Sequence, residues 1–159
     1  MHDPGPGRMA RRIVKVTATQ PRLVGYASKA PSAFAEMLGG LIEANVLARP
    51  EKKKDFDVLK ARVGIWVTDI DEGVTLVFDA GTLTVYNGLE GERTITIRAE
   101  AETVMSLSNL KIGAFGLPVY YDGVGRGVAM KLLRGRLQID GMLPNIPTLN
   151  RVTRIFSVQ

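Results

Sequence analysis

The residue types behind most covalent and metal chemistry are nearly missing from this chain. It has no cysteine and one histidine, His2, so a thiolate nucleophile, a thiolate zinc site, an iron–sulfur cluster and a Ser-His-Asp relay all lack their components. None of Ser28, Ser32, Ser106, Ser108 and Ser157 sits in a Gly-x-Ser-x-Gly elbow. Asp69, Asp71 and Glu72 gather three carboxylates, but their spacing omits the other oxygen ligands of a calcium loop, and a hairpin turn explains them better. Gly123-Val124-Gly125-Arg126-Gly127 has the glycine density of a phosphate loop without its Gly-Lys-Ser/Thr or a preceding parallel strand; a flexible hinge is the simpler reading. Ten Asp and Glu follow residue 60, so paired carboxylates remain formally available, though most fall in turns. The expectation is a non-catalytic protein with no cofactor and no metal.

The elements that would position such groups fit one domain. At 159 residues, with 45% hydrophobic and 23% charged residues, the chain can bury roughly two-thirds of its surface in a single core. No apolar run approaches the roughly 18 residues of a membrane span, and Met1 to Ala10 does not resemble a signal peptide; a cytoplasmic location is expected. His2-Asp3-Pro4-Gly5-Pro6-Gly7 is rich in chain breakers, and residues 1–30 are read as a partly disordered N-terminal extension, with 31–159 as the domain. The net charge of +5 is uneven. Residues 1–60 hold 11 basic against 6 acidic side chains, 61–102 hold 3 against 8, and 103–159 hold 7 against 2. An acidic middle between basic ends lacks the continuous basic stripe of a nucleic-acid binder.

Ile13 to Thr17 alternates weakly, and Pro21, Gly25 and Pro31 interrupt the stretch after it. From Ser32, a natural N-cap, the apolar residues Phe34, Met37, Leu38, Leu41, Ile42 and Val46 recur at helical spacing and stop before Pro50. Gly39 and Gly40 weaken that helix by up to about 1 kcal/mol each unless something must approach closely there. Glu51-Lys52-Lys53-Lys54-Asp55 reads as a solvated connection. From Arg62 the period falls to two, giving strands around Val63–Val67, Val74–Phe78, Leu83–Val85 and Thr94–Ile97, separated by short turns. Connections this short predict an antiparallel meander. A short helix comes next through Val104, Leu107 and Leu110, then a glycine-rich loop from Gly113 to Gly127, a helix over Val128–Leu133, and a fifth strand at Leu137 and Ile139. The closing segment Ile146–Val158 places Leu149, Val152, Ile155 and Phe156 on one helical face and Arg151 and Arg154 on the other. The predicted class is α+β: a five-stranded, mostly antiparallel sheet, made of a four-strand meander, a helix and a fifth strand, covered on one face by helices.

This order, with the stretch Leu133-Arg134-Gly135-Arg136-Leu137-Gln138-Ile139-Asp140-Gly141, resembles the sterol carrier protein type 2 (SCP-2-like) family, whose last strand tends to carry a similar run. The pairing of Val74-Thr75-Leu76-Val77-Phe78-Asp79 with Gly81-Thr82-Leu83-Thr84-Val85, followed by Thr94-Ile95-Thr96-Ile97, is similar to that family's central hairpins. The resemblance spans roughly residues 36–159. It implies a sheet and helices enclosing an apolar tunnel for a sterol, fatty acid or acyl-CoA. By position the tunnel residues would be Leu132, Leu133, Leu137, Ile139, Leu149, Val152, Ile155 and Phe156, with Phe115 and Leu117 at the mouth. Pro144 and Pro147 lie where the family's terminal helix usually begins, so that helix must start later or kink. The Gly113–Gly127 loop is longer than the family's, and the first 30 residues have no counterpart in it.

Two functions are consistent with this pattern. The first is a carrier of a hydrophobic lipid, with Lys131, Arg134, Arg136, Arg151 and Arg154 adding transient attraction to an anionic membrane surface. The second is a filled-core interaction module of the same fold, in which the first 60 residues mediate homo-oligomerisation or contact a partner enzyme.

Overall fold

The computed structural model describes residues 22–109 and 123–158. Among them are six strands and five α-helices. In chain order these are β1 (Val24–Tyr26), α1 (Ala33–Ala48), α2 (Pro50–Val58), β2 (Lys60–Val67), β3 (Glu72–Asp79), β4 (Leu83–Asn87), β5 (Ile95–Ala99), α3 (Ala101–Ser108), α4 (Gly123–Leu133), β6 (Gln138–Asp140) and α5 (Ile146–Phe156). The α+β class is as predicted; the sheet is mixed and has six strands. Its order is β1-β4-β3-β2-β5-β6.

The alternation read from Arg62 onward holds through the centre of the sheet. Val63 pairs with Leu76, and Ile65 with Val74, across the antiparallel β2–β3 ladder. Ile97 pairs with Ile139 across β5–β6. Because side chains alternate along a strand, these residues share one face, where Val63, Ile65, Val74, Leu76, Val85 and Ile95 are buried. Helices α1, α2 and α5 pack against one another, and α1 and α2 lie against the strands. Phe56 of α2 meets Phe78 of β3 edge-on, with ring centroids 6.1 Å apart, a favoured aromatic arrangement.

The predicted meander fails at its last step. β5 does not pair with β4; it passes beyond β3 and β2 and runs parallel to β2, Val63 opposite Ile95 and Val67 opposite Ala99. Residues 88–94 cross the sheet face opposite the helices, and three features hold them there. The Thr75 hydroxyl, fully buried, donates to the Gly88 carbonyl at 2.9 Å and accepts from the Glu90 N–H at 2.8 Å. Gly64 leaves the crossing room, since a Cβ there would stand 2.5 Å from Arg93 Cδ and 3.0 Å from Leu89 Cδ2. The Thr94 N–H then bonds the Arg62 carbonyl at 2.8 Å. The turn chemistry of Asn87-Gly88 is real, but the Asn87 side chain serves another element. Its Oδ1 accepts from the Ser32 N–H at 3.0 Å and its Nδ2 donates to the Ala30 carbonyl at 3.1 Å, fixing the entry to α1.

Val24–Tyr26, inside the predicted N-terminal extension, forms an edge strand parallel to β4. Two further expectations are corrected. The supposed charged loop at 51–55 is helix α2, started by Pro50 in its first turn, where proline lacks no needed N–H. Gly123–Gly127, read as the end of a loop and a hinge, is the first half of α4. The Ile13–Thr17 strand, Leu110 and most of the Gly113–Gly127 loop lie outside the described residues. Helix α1 behaves as read: Ser32 Oγ accepts from the Ala35 N–H at 3.1 Å, and Phe34, Leu38, Ile42 and Val46 are buried, although Met37 is exposed. At Gly39 the close approach is by a side chain, for a Cβ would stand 2.5 Å from Tyr26 Oη.

Candidate functional site

Helix α3 packs on both α4 and α5, and β6, which follows α4 in the chain, closes the sheet edge against β5. Each element presents apolar residues to this junction for a local reason. Helix α4 stops at Gly135, whose φ of +71° suits glycine and few other residues. Behind it the N–H groups of Arg136 and Leu137 both bond the Lys131 carbonyl, at 2.9 and 3.1 Å. That reversal sets Leu137 into the interior at 1% exposure. Helix α5 begins at Ile146 with Pro147 in its first turn and Pro144 in the preceding short 3-10 turn, Leu143–Asn145, so neither proline breaks a helical bond. The helix starts at Ile146, where the sequence reading placed the closing segment.

Of the ten residues placed in the tunnel by resemblance, Val152, Ile155 and Phe156 on α5 are buried, and so is Leu137. Ile139 and Leu149 are half-buried and pack against the same core. Leu132 and Leu133 lie in the last turn of α4. Phe115 and Leu117 fall outside the described residues. From α3, Val104 is buried and Leu107 packs against the core, and from α4, Val128 is buried. Six of the ten thus belong to the hydrophobic core, as do Val104 and Leu107 of α3, a helix the sequence reading left out of the site.

Polar groups lock α5 in place from the far side. Asn45 of α1 donates through Nδ2 to the carbonyls of Ile155 and Phe156 at 3.0 and 2.9 Å, and the Lys52 ammonium donates to the Ser157 carbonyl. The last carbonyls of a helix have no partners within it and attract positive charge, so these two side chains finish α5. Lys52 is 4% exposed; burial pulls its pKa below the usual lysine value, helped by Arg49 and opposed by Glu51. Asp55 accepts from Arg154 Nε and Nη2, both at 2.8 Å, and this bond raises the Arg154 pKa, against the effect of burial. The signal that could have exposed α2 is Lys52, Phe56 and Leu59 at helical spacing behind Pro50.

One polar atom at the junction has a different status. Thr103, in the first turn of α3, is 1% exposed, and its hydroxyl has no hydrogen-bond partner among the described residues. No sequence feature marks it. The acidic group read as a turn has structural work: Asp69 Oδ1 accepts from the Ala101 N–H at 2.9 Å, capping α3, Asp71 occupies a positive-φ turn position, and Glu72 opens β3. Among the described residues no group of His, Cys, Asp and Glu is placed to hold a metal ion, and no helix is long and apolar enough to cross a membrane.

A mixed sheet with helices α1, α2 and α5 on one face and a short closing strand before the last helix is an SCP-2-like fold. Among solved structures, the chain is similar to the UbiJ-SCP2 ubiquinone synthesis protein, with a TM-score of 0.56 at 14% identity over 77% of this chain and 92% of that one. It is also similar to a crystal structure of sterol carrier protein 2, with a TM-score of 0.47 at 13% identity over 79% and 92%. A protein from Thermus thermophilus solved in solution gives 0.44 at 12% identity over 81% and 90%. No protein-family model matches the sequence, and no curated protein matches it.

Proposed function

We propose that this protein binds and carries a hydrophobic lipid, without covalent chemistry, in the apolar region bounded by α3, α4, β6 and α5. The observation that supports the reading is an SCP-2-like fold in which Leu137, Ile139, Leu149, Val152, Ile155 and Phe156 all join the hydrophobic core. Binding would draw on the transfer of apolar ligand surface out of water, about 25 cal/mol per Å² buried, and affinity would depend on fit and on a few oriented polar groups. Helix α4 supplies the entrance: Gly123, Gly125 and Gly127 fill its first half, and glycine lowers helix stability by about 1 kcal/mol per residue relative to alanine, so this side can open at small cost.

Contact with an anionic membrane surface belongs to the same reading. Arg126, Arg134 and Arg136 are exposed, whereas Arg154 and Arg151 face Asp55, Arg151 Nε at 3.7 Å, and Lys131 lies 3.8 Å from Glu102. The interaction-module alternative is less favoured, because much of the first 60 residues serves the domain itself: Phe34, Leu38, Ile42, Val46 and Phe56 are buried in its core.

The test is uptake by delipidated full-length protein of a fluorescent fatty acid, a sterol probe and ubiquinone, the last included because of the likeness to a ubiquinone synthesis protein. Saturable binding at micromolar concentration is expected for at least one, with a matching adduct in native mass spectrometry. Absence of uptake across all three overturns the carrier assignment.

A further inference from the structure

We infer that Thr103 is the polar contact for the guest, its hydroxyl hydrogen-bonding an uncharged oxygen of the lipid, a hydroxyl or a carbonyl. This rests on the carrier reading and adds the chemistry of the ligand's polar end. Thr103 shares the buried stripe of α3 with Val104, Leu107 and Ser108, and α3 packs on α4 and α5, the walls of the proposed site. A buried hydroxyl without a partner is destabilising, and native proteins leave few of them. Valine has the same shape and would carry no such penalty, so the hydroxyl calls for a partner that arrives from outside the chain.

The local backbone does not supply that partner. The carbonyls three and four residues back, those a helical threonine ordinarily reaches, are Glu100 and Ala99. Glu100 already accepts from the N–H groups of Thr103 and Val104, at 2.9 and 3.1 Å, and Ala99 accepts from the Thr68 N–H at 2.9 Å. The other hydroxyl on the stripe, Ser108, is committed to the Met105 carbonyl at 2.6 Å. The chemistry favours a neutral oxygen over a carboxylate. One hydroxyl cannot compensate an ionised group taken out of water, and the cation beside this turn, Lys131, faces Glu102 at 3.8 Å.

The experiment measures affinities of delipidated wild type, Thr103→Val and Thr103→Ser for two matched pairs: cholesterol against cholest-5-ene, and hexadecan-1-ol against hexadecane. Wild type and Thr103→Ser are expected to prefer the oxygen-bearing member of at least one pair by roughly 5- to 30-fold, the worth of one buried hydrogen bond. Thr103→Val is expected to lose that preference while binding the hydrocarbon as before. The ligand-free Thr103→Val protein is expected to melt at or above the wild-type temperature, the reverse of what a structural hydroxyl would produce. A preference retained by Thr103→Val, or absent from wild type that does bind the hydrocarbons, overturns this assignment and leaves the carrier reading standing. Failure of wild type to take up any of the four overturns both.

Discussion

The Arg154 guanidinium meets the Asp55 carboxylate side-on, Nε to Oδ2 and Nη2 to Oδ1 at 2.8 Å each, and so joins the last helix to the second. Side chains of both residues are only about one-fifth exposed, and a two-bond geometry of this kind outlasts the solvent screening that weakens ordinary surface pairs. Arg151 Nε adds a second cation 3.7 Å from Oδ1. Asp55→Asn keeps the shape and removes the charge. It is expected to lower unfolding stability by about 1–3 kcal/mol, read as a lower urea midpoint at unchanged slope.

Lys52 gives a pH signature. Its pKa is held below the usual lysine value when folded, first by burial and then by Arg49, so in the alkaline range below about 10.5 the unfolded chain binds more protons at this site than the folded one. Stability contributed at this position therefore rises with pH in that window. The stability difference between wild type and Lys52→Met, measured by urea denaturation from pH 7 to pH 10, is expected to shift in favour of wild type as pH rises. A flat difference would show that the ammonium is equally at home in both states.

Gly64 tests the crossover. Alanine would bring a methyl group 2.5 Å from Arg93 Cδ and 3.0 Å from Leu89 Cδ2, and the connection would have to lift. Gly64→Ala is expected to destabilise by about 1–3 kcal/mol, whereas Gly40→Ala, with nothing within 4 Å of the added carbon, is expected to stabilise by up to about 1 kcal/mol.

Stability and traffic can be separated at α4. A Cβ at Gly123 or Gly127 meets nothing within 4 Å, so alanine at both positions is expected to raise helix stability by about 0.5–1 kcal/mol each. If α4 is the entrance, probe dissociation measured by stopped-flow slows in the same protein, while affinity for the probe changes far less than its rate.

Membrane contact has its own readout. Co-sedimentation with vesicles containing phosphatidylserine is expected to fall as salt rises. Replacing Arg126, Arg134 and Arg136 by glutamine is expected to weaken it by about 1 kcal/mol for each cation that reaches the surface. Neutral phosphatidylcholine vesicles should show neither effect.

Periodic features were the legible ones. The period-two recurrence of Val63, Ile65 and Val67, with Gly64 and Trp66 on the other face, and the helical spacing of Phe34, Leu38 and Ile42, reflect burial on one face and could be read without coordinates. The destination of β5 could not, because Asn87-Gly88 reports that the chain turns and carries no information on which strand it next joins. That choice depends on Thr75 and Gly64, residues that look like ordinary strand members until the crossing lies over them. Helix α2 was hidden because its inward row contains a lysine, whose burial makes sense only against the end of α5, about 100 residues later in the chain. In the site, the apolar wall was visible as a stripe along α5. Thr103 was invisible, since being buried without a partner is a property of surroundings and not of sequence.

The sheet ends on both sides in strands of only three residues, Val24–Tyr26 and Gln138–Asp140. Each rim thus offers another chain very few open amide and carbonyl groups to extend, and such brevity is a common defence against strand-to-strand aggregation. Under the carrier reading, in which the walls part to admit a greasy cargo, this blunting would keep molecules separate during the moments when their interiors are on view.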